Sequence, residues 1–155
     1  TQVVDALAYA LVRAFSEVTG GSELLVDFEG HGREDVIAGV DLSRTVGWFT
    51  TLYPVRLRHE PGAGPGAGLM AVKERLRAIP GKGLGYGLLR YLDGSTGPLL
   101  AALPQSEVSF NYLGQFDQLT SDGSVFTLAA EPTGAAEGAR TRRRHAIDVV
   151  AYVVG

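Results

Sequence analysis

Residues 24–34, LLVDFEGHGRE, constrain the fold of this chain more than any other stretch. They open with three apolar residues, and a run of this kind is typical of a strand buried inside a sheet. Gly30 and Gly32 let the following polar segment bend, because glycine allows backbone angles that side chains prevent. The pattern predicts a strand that ends in a cleft with a carboxylate at its mouth. The ionisable side chains after the apolar run are Asp27, Glu29, His31, Arg33 and Glu34.

These ionisable residues allow two interpretations. A carboxylate, an imidazole and a guanidinium so close together in the chain could exchange protons with a substrate. The same residues could form a solvated turn with an internal ion pair, which is the commoner fate of charged residues after a strand. Composition alone favours the solvated turn, and the rest of the chain has to decide between the two.

Bulk composition excludes several classes of protein. A chain of 155 residues with 45% apolar content can bury one sizeable core, so we expect one domain or one lobe. The net charge of −3 leaves no basic surplus for a nucleic-acid partner. No cysteine is present, which excludes disulfides, a thiolate nucleophile and thiolate metal ligands. No apolar run approaches the roughly 20 residues of a membrane span and no signal peptide is visible, so we expect a cytoplasmic protein without a membrane partner.

The two ends of the chain suggest that it is a piece of something longer. It begins at Thr1 inside a helical pattern, and it stops at Gly155 directly after a strand-like run. A hairpin turn normally follows such a run.

Periodicity predicts helices and strands that alternate without a strict repeat. The segment 61–68, PGAGPGAG, is interpreted as a surface loop, and Pro54 places its strand at a sheet edge or an interruption. Together the elements indicate an α/β or α+β layered lobe with helices packed on a sheet. The predicted helices cover 3–18, 69–79 and 88–92. The first predicted strand begins at Leu24, and the further predicted strands cover 48–57, 107–113, 125–128 and 146–154.

Several catalytic motifs are missing. His31, His59 and His145 do not have the helical spacing of a zinc site, so we expect no metal. No G-x-S-x-G elbow is present, and neither glycine-rich run matches a nucleotide-binding fingerprint.

A few other side chains remain as candidates. Trp48 is interpreted as a core residue rather than a ligand platform. Asn111 and Tyr112 end a predicted strand, so they either tie down a turn or face a cleft. Tyr86 is one large side chain on a glycine-rich backbone. The arginine-rich run at 140–144 is either a solvated edge or a surface for a phosphate or an acidic partner.

Four runs occur in order along the chain: EGHGRE at 29–34, DLSRTVGWFTTLYPVRL at 41–57, PGKGLGYGLLRYL at 80–92 and FNYLGQFD at 110–117. Together they resemble the epimerization domain of nonribosomal peptide synthetases, within the condensation-domain superfamily. That resemblance implies two chloramphenicol-acetyltransferase-like lobes around a tunnel, of which this chain matches the C-terminal lobe over 1–155. The family's HHxxxD run, which supplies a histidine from the N-terminal lobe, does not occur here, so we expect that lobe to be absent from this chain.

The resemblance implies a reaction. Such domains invert the α-carbon of an aminoacyl or peptidyl thioester, which the phosphopantetheine arm of a peptidyl carrier protein delivers, and no cofactor is expected to bind directly. The α-proton is removed to give an enolate, which is then reprotonated. The chemistry needs a proton acceptor, a donor on the opposite face and a group that holds the oxyanion.

The resemblance also assigns roles to individual residues. Glu29 matches the catalytic glutamate, and the histidine of the other lobe would face it across the substrate. Tyr112 is a candidate hydrogen-bond donor to the enolate, and Arg33 either positions the turn or steadies negative charge. The candidate substrate-binding residues are Asn111, His31, Trp48 and Tyr86, of which His31 is interpreted as mainly structural.

Two alternatives stay open beside epimerization. The isolated chain could be a catalytically incomplete scaffold that binds a carrier protein, whose acidic surface would suit the arginine run. It could also belong to a condensation-type domain that forms amide bonds.

Overall fold

The computed structural model describes residues 1–35, 38–115, 131–132, 134–135, 138 and 140–153. The predicted strand over 125–128 and the end of the FNYLGQFD run, residues 116–117, lie outside the described residues. The elements in chain order are α1 (Val3–Thr19), β1 (Glu23–Gly30), β2 (Thr51–Arg58), α2 (Pro65–Arg77), a 3₁₀ turn (Pro80–Gly83), α3 (Leu84–Tyr91), α4 (Thr96–Ala101), β3 (Val108–Gln115) and β4 (Ile147–Val153).

The described strands form one mixed sheet in the order β2-β1-β3-β4. β1 pairs with β2 antiparallel, whereas β1 with β3 and β3 with β4 run parallel. The carboxyl ends of β1 and β3 therefore meet at one edge of the sheet. Pro54 lies in β2, at the end of this strand order, as predicted for a residue that has no N–H to donate.

The core lies on one face of this sheet. Val26 is opposite Val55 on β2 and Val108 on β3, and the Phe28 and Phe110 rings are 5.0 Å apart between centroids. Burial of each large apolar side chain contributes about 1.5–3 kcal/mol. Helices α1 and α2 add their apolar faces to the same core, which confirms the predicted layered α/β architecture. The buried core residues are Ala8, Val12, Leu24, Val26, Phe28, Val55, Leu57, Val72, Val108 and Phe110.

Helix α1 follows the prediction closely. It begins where the carboxylate of Asp5 accepts a hydrogen bond from the backbone N–H of Gln2 at 2.7 Å. It ends at Gly20, which adopts the left-handed conformation with φ 72° and donates its N–H to Ser16. The direction of α1 brings its first turn to the edge of the sheet where β1 ends.

Four elements differ from the prediction. Helix α2 begins at Pro65, inside the segment predicted to be a loop, because proline suits the first turn of a helix. Helix α3 begins at Leu84 rather than residue 88, and α4 was not predicted. Strand β2 begins at Thr51, three residues later than predicted.

The first turns of α2 lie close to α1. A Cβ atom on Gly68 would lie 2.4 Å from the ring of Tyr9, so glycine allows the two helices to approach. Among the described residues, no helix has the length and apolar content to cross a membrane.

Candidate functional site

A cleft opens where β1 and β3 end, with a volume of about 730 Å³. Pockets for small ligands commonly enclose about 300–1,000 Å³. Its walls come from the ends of β1 and β3, the first turn of α1, the last turn of α2 and the segments around Thr50 and Lys82. Ligands of α/β sheets bind beyond the carboxyl ends of the strands, so this cleft is the candidate site.

Glu29 and Asn111 form the central pair of the cleft. Parallel pairing sets Phe28 opposite Phe110, which brings the next residue of each strand side by side. The side-chain amide of Asn111 donates a hydrogen bond to the half-buried carboxylate of Glu29 at 2.6 Å. A carboxylate can accept several hydrogen bonds, so this one fixes its orientation without using all its acceptor capacity. The strand therefore ends in a cleft with a carboxylate at its mouth, as predicted.

Two tyrosines line the same cleft. Tyr112 follows Asn111 on β3 and packs against the core. Burial raises the pKa of Tyr53, and the nearby carboxylate of Glu34 raises it further. Tyr53 therefore keeps its phenol proton at neutral pH and can donate a hydrogen bond into the cleft.

The turn after Glu29 is organised around the carboxylate of Glu34, which contacts His31 and Lys82. Nε2 of His31 lies 3.1 Å from one oxygen of Glu34, and the ammonium of Lys82 lies 2.7 Å from the other. Nδ1 of His31 accepts a hydrogen bond from the backbone N–H of Arg33 at 3.0 Å. Because Nδ1 accepts, Nε2 is the nitrogen that donates to Glu34.

Arg33 points away from this pair and organises the loop between β1 and β2. Its guanidinium donates to the carbonyl oxygens of Leu42 at 2.7 Å and Gly47 at 3.4 Å, and it stacks 4.3 Å above the ring of Phe49. Of the two roles suggested for Arg33, these contacts fit the one that positions the turn. Arg33 is not among the described residues that line the cleft, and its catalytic role stays a prediction.

Trp48 and Tyr86 are also outside the cleft lining. The interpretation of Trp48 as a core residue is wrong, because 90% of its surface is exposed. It lies in the loop just before β2 begins and packs into no described core. Burial raises the pKa of Tyr86 on α3, and the carboxylate of Asp27, on the face of β1 opposite the core, raises it further. Their roles in substrate binding remain predictions.

Asp27 forms a buried polar cluster on that second face. Its carboxylate lies 2.9 Å from Nε2 of His145 and 3.6 Å from the guanidinium of Arg144, and Nδ1 of His145 lies 3.5 Å from Asp148. This cluster ties the segment before β4 to β1. The last arginine of the basic run is therefore anchored, while Arg140, Arg142 and Arg143 are exposed.

Sequence reasoning did not single out Lys82 and Tyr53. Both lie inside the quoted runs, Lys82 between two glycines and Tyr53 directly before Pro54. The signal in the sequence that could have indicated Lys82 was its position between two glycines. A flexible turn requires glycine but does not require a long charged side chain. Within the described part of the chain, no three His, Asp or Glu side chains lie close enough together to hold a metal ion.

The fold and the cleft define a class of protein: an α/β domain that presents a carboxylate–amide pair at the carboxyl ends of parallel strands. The sequence model of the family described as "Condensation domain" matches residues 1–155. The chain belongs to the condensation-domain family.

Individual relatives agree with this assignment. The chain is 50% identical over 156 residues to one of the linear gramicidin synthase subunits of Brevibacillus parabrevis, a match that covers 99% of this chain and 2% of that protein. It is 49% identical over 149 residues to chondramide synthase cmdD of Chondromyces crocatus, a match that covers 96% of this chain and 4% of that protein. The chain thus spans only a few per cent of the length of these relatives.

A solved structure gives the same result for the fold. The epimerization domain from the third module of tyrocidine synthetase B superposes with a TM-score of 0.86 at 37% identity, covering 99% of this chain and 34% of that one. The resemblance inferred from the four sequence runs is confirmed, as is the fold class. The assignment of this chain to one lobe and the roles of its residues stay predictions.

Proposed function

We propose that this chain is the C-terminal lobe of an epimerization domain that inverts the α-carbon of a carrier-bound aminoacyl or peptidyl thioester. The observation that carries the proposal is the Glu29–Asn111 pair at the mouth of the cleft, which joins the EGHGRE and FNYLG runs in space. The likeness to a solved epimerization domain at 37% identity supports it. The N-terminal lobe, in the same polypeptide or a separate chain, would complete the site.

The proton transfers follow from the chemistry of the thioester. The carboxylate of Glu29 takes the α-proton, the electron pair of the broken C–H bond moves into the carbonyl, and an enolate forms. A proton donor of the other lobe, on the opposite face, then returns a proton to the α-carbon and inverts it. Asn111 holds the carboxylate in place, and the phenol of Tyr112 is the candidate donor to the enolate oxygen.

The substrate reaches the cleft on the phosphopantetheine arm of a peptidyl carrier protein, and no further cofactor takes part in this proposal. The carboxylate of Glu29 and the donors beside it supply the acid/base chemistry that α-proton exchange requires.

Replacement of Glu29 tests this proposal. In the complete two-lobed domain, Glu29→Gln keeps the size of the side chain and its ability to accept from Asn111, but removes the base. We expect the rate of deuterium incorporation at the α-carbon to fall by about 10²–10⁴-fold, the usual contribution of general base catalysis. The matched control is Glu23→Gln, at the other end of the same strand, which should exchange at the normal rate. Unchanged exchange in Glu29→Gln would show that another group removes the proton.

Condensation is the second candidate, because the chain belongs to a family named for that activity. The two activities give different products. An epimerization domain converts one loaded carrier protein into a mixture of D and L thioesters, whereas a condensation domain forms an amide from two loaded carriers. Amide formation without racemisation would replace the proposal with the second candidate.

A further inference from the structure

The turn that carries Lys82 has an unusual backbone. Lys82 adopts the left-handed conformation with φ 49° and ψ 38°, and it is the only residue other than glycine with a positive φ in the described part of the chain. Gly81 and Gly83 on either side are also left-handed, with φ 52° and 80°. Glycine would adopt this conformation at a lower cost than lysine, so the surroundings of Lys82 hold it in this conformation.

This turn packs against Tyr53 of β2 and comes near the end of β1. A Cβ atom on Gly83 would lie 2.1 Å from the ring of Tyr53, and one on Gly30 would lie 4.0 Å from the carbonyl oxygen of Lys82. Gly30 is the residue after Glu29. The backbone of the turn therefore reaches the strand end that holds the candidate base through its packing on β2.

The side chain of Lys82 contacts the same region. Its ammonium lies 2.7 Å from Glu34, whose side chain is only 17% exposed, and Glu34 in turn lies 3.1 Å from His31. His31 accepts the backbone N–H of Arg33 at 3.0 Å. An exposed ion pair contributes little by itself, but a pair made to a mostly buried carboxylate that also orients a histidine fixes a geometry.

We propose that Lys82 is a positioning residue of the cleft: its ammonium fixes Glu34, and through Glu34 and His31 it holds the segment that follows Glu29. The inference rests on the proposed function for its catalytic consequence. The structural part of the inference, that Lys82 orders residues 31–34, rests on the contacts alone.

Three substitutions at Lys82 separate positioning from a simple structural role. In the complete two-lobed domain, Lys82→Met removes the ammonium and keeps the length, Lys82→Arg keeps the charge, and Lys82→Gly removes the ammonium while relieving the backbone. We expect Lys82→Met and Lys82→Gly to lower kcat for α-deuterium incorporation by about tenfold to a hundredfold with little change in KM, because the catalytic group would be misplaced. Lys82→Arg should retain most of the rate, and Lys73→Met on α2 is the matched control.

The glycine variant decides between the two roles. If the turn only needs its shape, Lys82→Gly should be as active as the unchanged domain, and that result would overturn the inference. If Lys82 acts through Glu34, then Glu34→Gln should lose as much rate as Lys82→Met, and the double variant should lose no more than either.

A second measurement does not depend on activity. Hydrogen exchange of the Arg33 amide, which His31 protects, should accelerate in Lys82→Met and Lys82→Gly but not in Lys82→Arg or Lys73→Met. If the unchanged domain incorporates no deuterium at the α-carbon, the proposed function fails, and this amide still tests the inference. Equal amide exchange in all variants would overturn it.

Discussion

Glu29 lies one residue before the end of β1, and its partner Asn111 lies 82 positions further along the chain. The contact exists because β1 and β3 are parallel neighbours and Phe28 is in register with Phe110. A shift of one residue in that register would turn Asn111 to the other face of the sheet. The geometry of the candidate base therefore depends on strand pairing as much as on the EGHGRE run.

Replacement of Asn111 tests this dependence. Asn111→Ala removes the donor and leaves the carboxylate of Glu29 free to rotate. A hydrogen bond to a charged group is worth about 1.5–3 kcal/mol, so α-deuterium incorporation by the two-lobed domain should slow by about tenfold to a hundredfold. Gln115→Ala, at the exposed end of the same strand, is the control and should leave the rate unchanged. A normal rate in Asn111→Ala would show that Glu29 needs no partner in this position.

The sequence predicted the residues of this pair but not their contact. Glu29 and Asn111 were both candidates because a carboxylate and an amide followed strand-like runs. A single sequence does not show which strands are neighbours in the sheet. The contact between Glu29 and Asn111 was therefore visible only in the structure. For the same reason Lys82 and Tyr53 were overlooked, since each reaches the cleft from an element that is distant in sequence.

At the scale of elements, the loop between β1 and β2 is closed by two unlike residues. Arg33 donates hydrogen bonds to two carbonyl groups of the loop. Gly32 lets the backbone around Phe49 come close to the backbone of the turn. A Cβ atom on Gly32 would lie 1.6 Å from the carbonyl oxygen of Phe49, and its φ of 66° is left-handed. Both the space and the conformation therefore require glycine at this position.

Gly32→Ala should destabilise the domain strongly. The left-handed conformation costs an alanine about 1–2 kcal/mol, and the clash with the Phe49 carbonyl adds about 1–3 kcal/mol of overpacking. The control is Gly39→Ala, because Gly39 has φ 80° but no atom within 4 Å of its Cβ position, so that only the first cost applies. The urea midpoints of the two variants measure the difference. Equal midpoints would mean that the loop moves away from Gly32 without cost.

Errors in predicted boundaries have a common physical origin. The segment PGAGPGAG looked like a loop because glycine and proline are poor helix formers. Helix α2 nevertheless begins at Pro65, since proline suits a first turn and Gly68 accommodates the ring of Tyr9. Packing between α1 and α2 thus overrides local propensity, and a single sequence does not reveal that packing.

At the scale of the whole molecule, the layered fold was predictable because it depends on periodic apolar residues. Val26, in the apolar run that predicted β1, is buried as expected. Trp48 had no such period around it, and its aromatic character alone led to the wrong expectation. The buried Asp27–His145 contact was also unpredictable, because it joins residues 118 positions apart.

Under the proposed function, the exposed arginines before β4 are a candidate surface for an acidic carrier protein. Arg140, Arg142 and Arg143 are exposed, whereas Arg144 is held by Asp27. Replacing the three exposed arginines with glutamine should weaken carrier binding, with the greatest effect at low ionic strength, because complementary charges accelerate association and salt screens them. Titration of the two-lobed domain with carrier protein at two salt concentrations measures this, and kcat at saturating carrier should stay unchanged.

The number of charges and their position can be separated in this experiment. A control variant in which glutamine replaces Arg13, Arg58 and Lys73 loses the same three charges from α1, β2 and α2. If only net charge mattered, both triple variants would bind the carrier equally weakly. If the run before β4 is a docking surface, only the first variant loses affinity, and the loss shrinks as salt is added. Unchanged affinity in the first variant would identify the run as a solvated edge, and the carrier would then have to approach the cleft over another face.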